Sequence, residues 1–154
     1  MCCFLSGLIV GLERQLRGKP VGMRTSALIC MGTYVFIAMT RHVSNSMTDP
    51  SRIIGQVVTG IGFLGAGVIL ARQGAIVGVT SASAIWVLAA IGVVIGVGYP
   101  WLGVKLAALT VMILAGVDFV EARFESLQKG VHGRLEKKRP RESGKPLRPT
   151  SDSQ

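Results

Sequence analysis

Residues 53–117 read IIGQVVTGIGFLGAGVILARQGAIVGVTSASAIWVLAAIGVVIGVGYPWLGVKLAALTVMILAGV. The only charges among them are Arg72 and Lys105, and no carboxylate lies between Asp49 and Asp118. A helix on a soluble core carries a polar stripe on its outward face. These runs are apolar or small all the way round. A helix that crosses a bilayer needs about 20 mostly apolar residues, and the stretch has room for three. It sets the class of the chain as an integral membrane protein.

Composition agrees. Of 154 residues, 49% are hydrophobic and 16% charged, against roughly 25% charged in soluble domains. The 20 glycines sit largely inside apolar runs, where small residues let helix backbones approach closely. Five apolar segments follow from the pattern: 1–12, 26–40, 53–71, 79–98 and 101–117. The first is short. At 1.5 Å per residue it covers about 18 Å, against roughly 30 Å of hydrocarbon, so it is a stub or its natural start lies upstream. Tyr99, Pro100 and Trp101 mark a tight hairpin at one membrane face, with aromatic rings at headgroup level. Lys105 lies one turn into the last span, where its long stem can carry the ammonium back to the interface; the alternative is a place on an ion pathway.

The expected fold is therefore all-α, a polytopic membrane helix bundle of about five transmembrane spans over residues 1–118, with a basic cytoplasmic C-terminal tail. Orientation follows from Lys and Arg. The connection 13–25 carries Arg14, Arg17, Lys19 and Arg24; the second carries Arg41 and Arg52; the third Arg72; and nine follow Asp118. Placing the first and third connections and the tail inside gives fourteen against two, with the N-terminus outside and the C-terminus cytoplasmic. Residues 119–139 begin as a juxtamembrane helix with Phe119, Phe124 and Leu127 on one narrow face. Residues 140–154 are basic and rich in Pro and Ser, a disordered tail. Its charge excess, +9 for the whole chain, is a topology signal more readily than a nucleic-acid footprint, and no nucleic acid is expected. Arg134, Lys137, Lys138, Arg139, Arg141, Lys145 and Arg148 suit anionic lipid headgroups, at about 1 kcal/mol each near the surface.

Several motifs resemble chemistry. Gly60, Gly62 and Gly65 match the dinucleotide spacing GxGxxG. That fingerprint requires a preceding strand and an acid about 20 residues on; here position 80 is Thr80 and no acid occurs before Asp118. No GK[ST] phosphate loop is present either. The glycines instead pair as Gly60 with Gly67, Gly62 with Ala66, and Gly92 with Gly96, each on one helix face. Packing within the bundle, a dimer or partner face, and a broken helix lining a cavity are all compatible with them. Thr80, Ser81 and Ser83 cluster at the start of the fourth span, placed to cap that helix or to line a polar vestibule. Asp118 marks the end of the last span. The most specific polar run is GLERQLRGKPVGMRT, residues 11–25. Glu13 and Arg17 are four apart and can pair on a helix. Arg14, Arg17 and Arg24 are suited to grip phosphate or a partner's carboxylates. Cys2 and Cys3 are adjacent and Cys30 lies in an apolar run, with no zinc spacing.

GLERQLRGKPVGMRT, GIGFLGAGVIL and GVTSASAIWVLAAIGVVIGVG, in that order, closely resemble the MgtC/SapB family of bacterial inner-membrane proteins. The likeness covers about residues 7–118. On it, Glu13, Arg14, Gly18, Gly22, Arg24 and Thr25 match the first signature. Gly60, Gly62, Phe63, Gly65, Ala66 and Gly67 match the second, and Thr80, Ala82, Trp86, Gly92 and Gly96 the third. The resemblance implies five spans with a cytoplasmic C-terminus, the same orientation as the charge count. It also implies links to growth in low magnesium, survival in macrophages and modulation of the F-type ATP synthase; some members are labelled magnesium transport ATPases. The chain departs from the family in its short first span and in a basic tail where longer members carry a soluble regulatory domain.

These readings favour a non-enzymatic membrane regulator that binds a membrane partner or a second copy of itself. A small transporter or channel for Mg²⁺ or another ion is the alternative. Mg²⁺ prefers one or two carboxylates with several waters, and Glu13, Asp49 and Asp118 stand only near span ends. No catalytic set, metal cluster or cofactor motif is expected.

Overall fold

The computed structural model describes residues 1–43, 49–72 and 75–123. The chain divides into two units, Met1–Val117 and Asp118–Gln154. Five helices occupy the described residues: α1 (Cys2–Leu16), α2 (Met23–Val43), α3 (Pro50–Gly67), α4 (Val79–Val97) and α5 (Pro100–Arg123). The chain is an all-α membrane bundle. α2, α4 and α5 are each long and apolar enough to cross a bilayer, with mean hydropathy of 1.2, 2.1 and 1.9 over their spanning windows. α1 has 15 residues, short as expected. α3 has 18 residues, but Ser51, Arg52, Gln56 and Thr59 keep it below the hydropathy of the other three. α5 runs on to Arg123; the rest of the expected juxtamembrane helix and the basic tail lie outside the described residues.

One element was not expected. The third apolar segment does not run as helix to 71. α3 stops at Gly67, and two three-residue strands follow, β1 (Leu70–Arg72) and β2 (Ala75–Val77). They pair antiparallel with Leu70 opposite Val77 and Ala71 opposite Ile76. β-branched Ile76 and Val77 suit a strand. Gly78 then turns the chain into α4 with φ +94°, and a Cβ there would stand 2.0 Å from the Val68 carbonyl oxygen. Only glycine fits.

Local signals set the other helix ends. Asp49 caps α3: its Oδ1 accepts the Ser51 amide at 2.9 Å, and Pro50 occupies the first turn, where its missing N–H costs nothing. α4 ends at Gly98, φ +117°, with the Gly98 amide donating to Ile95 O and the Tyr99 amide to Val94 O, both at 3.1 Å. This nested pair satisfies the last carbonyls. Pro100 opens α5 at once, giving the short α4–α5 hairpin that the sequence implied.

In lipid the bundle is held by close packing more than by a hydrophobic drive. α1 lies on α2, α2 on α4, and α3 on α4 with a lighter contact to α2. A Cβ on Gly7 would lie 2.6 Å from Ala27 Cα, and one on Gly11 would lie 2.6 Å from Met23 Cα. Gly92 meets the Cys30 carbonyl and Thr33, and Gly96 meets Ile37. Gly103 of α5 lets Ile95 of α4 come against its backbone. The enclosed core is Cys3, Val10, Cys30, Leu88, Ile91, Ile95 and Ala107. Much of the outer surface is large and apolar, as lipid requires: Phe36, Phe63, Trp101 and Met112 are all well exposed.

Candidate functional site

The buried residues of α1 are Cys3, Ser6, Gly7, Val10, Gly11, Glu13 and Arg14. Spacings of three and four bring most of them onto the side facing the bundle. Apolar and small residues come first, and the helix ends on two adjacent charged side chains. The sequence signature at 11–25 is therefore not a solvated loop. Its first half is the last turn of a packed helix.

Arg14 is the largest fully buried side chain, 2% exposed. Its Nη2 donates to Ser81 Oγ, in the first turn of α4 and likewise 2% exposed. Arg14 Nε has no hydrogen-bond partner among the described residues. Glu13 beside it is also enclosed. Arg17 Nε lies 2.6 Å from Glu13 Oε1, so the two charges pair, although the N–H is not aligned as a hydrogen bond. Glu13 Oε2 and the buried hydroxyl of Ser6 meet no hydrogen-bonding group among the described residues. A cation, a carboxylate and the Ser81 hydroxyl thus sit together in low-polarity surroundings, and Ser6 lies about two turns away along α1. Buried charges persist only where they are paired and hydrogen-bonded. Ionisable groups enclosed by a membrane bundle mark function more often than packing.

The turn that follows holds this cluster in place. The Gly18 amide donates to Gln15 O at 3.1 Å and the Lys19 amide to Arg14 O at 3.0 Å. Gly18 has φ +60°, as glycine allows, but Val21 has φ +67°, which a β-branched residue rarely adopts. Ser26 Oγ donates to the Val21 carbonyl at 3.2 Å, and Gln15 Oε1 accepts the Met23 amide at 3.3 Å. Strained backbone that its surroundings hold in place is concentrated at functional sites.

The structure brings some of the expected residues together and separates others. Glu13, Arg14, Arg17 and Ser81 form one cluster. Arg24 and Thr25 stand exposed at the start of α2. Thr80 is exposed, and Ser83 Oγ donates back to Val79 O at 3.0 Å. Capping of α4 by Thr80, Ser81 or Ser83 needs correction. The residue at the cap is Gly78, which has no side chain to accept an amide, and the three hydroxyl residues lie inside the helix, where Ser81 accepts from Arg14 and Ser83 donates to its own helix. Asp118 is exposed at the start of the second unit.

The glycines divide as well. Gly92 and Gly96 lie against α2, and Gly65 touches Ala82 at ordinary contact distance. Beyond the backbone of α3 itself, Gly60, Gly62 and Gly67 have no atom of the described residues within 4 Å of where a Cβ would stand, so they pack no other helix of the bundle. Gly7 and Gly11, the tightest glycine contacts of α1, were legible as GxxxG at 7–11 but lay in a segment judged by its length. Between α2 and α3 an apolar groove of about 760 Å³ opens, with Gly32, Thr33, Phe36, Gln56, Gly60 and Leu64 among its lining residues. Among the described residues no group of three or more His, Cys, Asp or Glu could hold a metal ion.

The chain is similar in sequence to several curated proteins. The putative magnesium transporter YhiD of Escherichia coli K12 is 44% identical over 133 residues, 82% of this chain and 61% of the relative. An uncharacterized protein of Haemophilus influenzae is 41% identical over 142 residues, 86% of this chain and 57% of the relative. Protein MgtC of Salmonella paratyphi A is 37% identical over 138 residues, 90% of this chain and 58% of the relative. The chain spans less than two thirds of the length of each of these curated relatives. No solved structure matches it. The MgtC family matches residues 1–123, most of the chain, and the chain belongs to that family.

Proposed function

We propose that the chain is a non-enzymatic protein of the bacterial inner membrane that serves magnesium homeostasis, and growth at low magnesium or inside host cells, by binding and regulating a membrane partner. The observation that carries this reading is the unfilled side of α3. Gly60 and Gly67, seven apart on one face, leave its backbone bare there, and the α2–α3 groove beside Gly60 is apolar and open. A helix of another membrane protein can approach such a surface as closely as α1 approaches α2. The F-type ATP synthase is the partner implied by the resemblance to MgtC, and a second copy of the chain is the other. The Lys and Arg count supports an outside N-terminus and a cytoplasmic C-terminus, where the basic tail meets anionic headgroups.

The alternative, a small Mg²⁺ or other ion transporter, draws support from the similarity to YhiD of Escherichia coli, named a putative magnesium transporter. The enclosed cluster argues against it for the single chain. Glu13 is already paired with Arg17, and Arg14 beside it repels a cation. Mg²⁺ retains waters and seeks free carboxylates.

Crosslinking and co-purification from native membranes at low magnesium test the regulator reading. Wild type is expected to retain one partner, and Gly60→Leu, which fills the groove wall without touching the core, is expected to lose it. Equal recovery by both would refute the reading. Robust Mg²⁺ flux by the purified chain alone in liposomes would establish the transporter instead.

A further inference from the structure

We propose that Cys3 and Cys30 form an oxidative modification site, at which a hydroperoxide converts two free thiols into a disulfide that ties α1 to α2. The pair is separated by 27 positions in sequence, yet the two Sγ atoms are 3.1 Å apart and Cys3 Sγ donates to the Cys30 carbonyl at 2.9 Å. Both thiols are free. A disulfide brings its sulfurs to about 2.05 Å, so the sulfurs must close by roughly one ångström. The helices need not approach. Their backbones are already in contact one and two turns further along, at Gly7 against Ala27 and at Gly11 against Met23.

Access is asymmetric, and this gives the two thiols different parts. An open cavity of about 640 Å³, lined by Cys2, Cys3, Met31, Tyr34, Gly96 and Gly98 among others, reaches the Cys3 side. Cys30 does not line it and is 0% exposed. A small neutral oxidant therefore meets Cys3 first, and Cys30 is held beside it as the resolving thiol. That arrangement is the one in which a sulfenic acid condenses before further oxidation. With hydrogen peroxide, the Cys3 sulfur attacks one peroxide oxygen and the O–O bond breaks. The second oxygen leaves as water with the thiol proton. The Cys30 sulfur then attacks the Cys3 sulfur, the S–O bond breaks, and the hydroxyl leaves with the Cys30 proton as a second water. Two thiols and one peroxide give one disulfide and two waters; the sulfurs lose two electrons and the peroxide gains them. Cys2 lies on the same cavity, but neighbouring residues of a helix do not face one direction, so it stays outside the pair.

The full chain in native membrane vesicles is treated with hydrogen peroxide, denatured and alkylated with a maleimide. Reactive thiols are expected to fall from three to one per chain, the survivor being Cys2. Tryptic mapping without reductant is expected to join the peptides 1–14 and 25–41 through Cys3 and Cys30, and reductant is expected to separate them. Cys2→Ser should form the same link, and Cys3→Ser should leave Cys30 reactive. Three reactive thiols after treatment, a link through Cys2, a link between chains, or sulfinic acid on Cys3 without a link would each overturn the proposal. The wild-type map decides by itself if Cys3→Ser does not fold.

Discussion

The bond from Arg14 to Ser81 joins the end of α1 to the start of α4, and its strength can be measured. Both side chains are 2% exposed, so water screens little of the charge. A hydrogen bond to an ionised group contributes about 1.5–3 kcal/mol. The two single substitutions are expected to differ. Ser81→Ala leaves a buried guanidinium short of an acceptor, which carries the full desolvation penalty. Arg14→Met removes the buried charge with its penalty, and the freed Ser81 hydroxyl can bond back to its own helix. Ser81→Ala should therefore be the more destabilising change. The double variant closes a cycle that isolates the pair, with an expected coupling of about 1.5–3 kcal/mol. The assay is reversible unfolding in mixed micelles of rising denaturing-detergent fraction, followed by Trp86 and Trp101 fluorescence. A coupling under about 0.5 kcal/mol, the scatter of independent sites, would refute the claim that this bond fastens α1 to α4.

Further outcomes follow from the same geometry. Gly7→Ala and Gly92→Ala should each destabilise the bundle by about 1–3 kcal/mol in that assay, because the new methyl meets backbone at 2.6 Å. Gly62→Ala meets nothing and should stabilise α3 by up to about 1 kcal/mol; equal effects at the two kinds of site would contradict the packing. The Ser51 hydroxyl and amide hold the Asp49 carboxyl below the usual aspartate range. The cap is thus fully present above the ordinary aspartate pKa and is lost as pH falls through the lowered value. The protection factor of the Ser51 amide, its exchange rate referred to the intrinsic rate at each pH, should fall there in wild type and stay unchanged over that pH range in Asp49→Asn. Arg24→Ala should impair complementation of a deletion strain at constant protein level, since Arg24 is exposed for contact; normal growth at low magnesium would remove it from the functional set.

The helices were legible because lipid leaves few alternatives: an apolar run without charge must be a helix, and Gly, Pro and Asp place its ends. Three features were not legible, for separate reasons. The β1–β2 pair falls across the end of the third apolar segment and the short connection after it, and hydropathy does not distinguish a strand from a helix end or a loop over so few residues. Arg14 was read among four basic residues of a connection, and composition cannot show that one of them turns inward while Arg24 stays out. Of the glycines expected to pack helices, Gly92 and Gly96 meet α2, whereas Gly60, Gly62 and Gly67 do not meet another helix of the described chain. Spacing shows that two glycines share a face but not whether another helix lies opposite. On α1 and α4 one does. On Gly60, Gly62 and Gly67 of α3 nothing in the described chain does.

Arg14 finds its hydroxyl 67 positions later in the polypeptide. At a synthesis rate of roughly 5–20 residues per second, that interval is roughly 3–13 s. During it α2, α3 and the strand pair leave the ribosome while the charged end of α1 still lacks its acceptor. Until α4 is made, that charge is expected to rely on the insertion machinery or on headgroup water for its hydrogen bonds. Slowing translation between codons 30 and 80 would prolong the exposed interval and present the half-built bundle to membrane proteases.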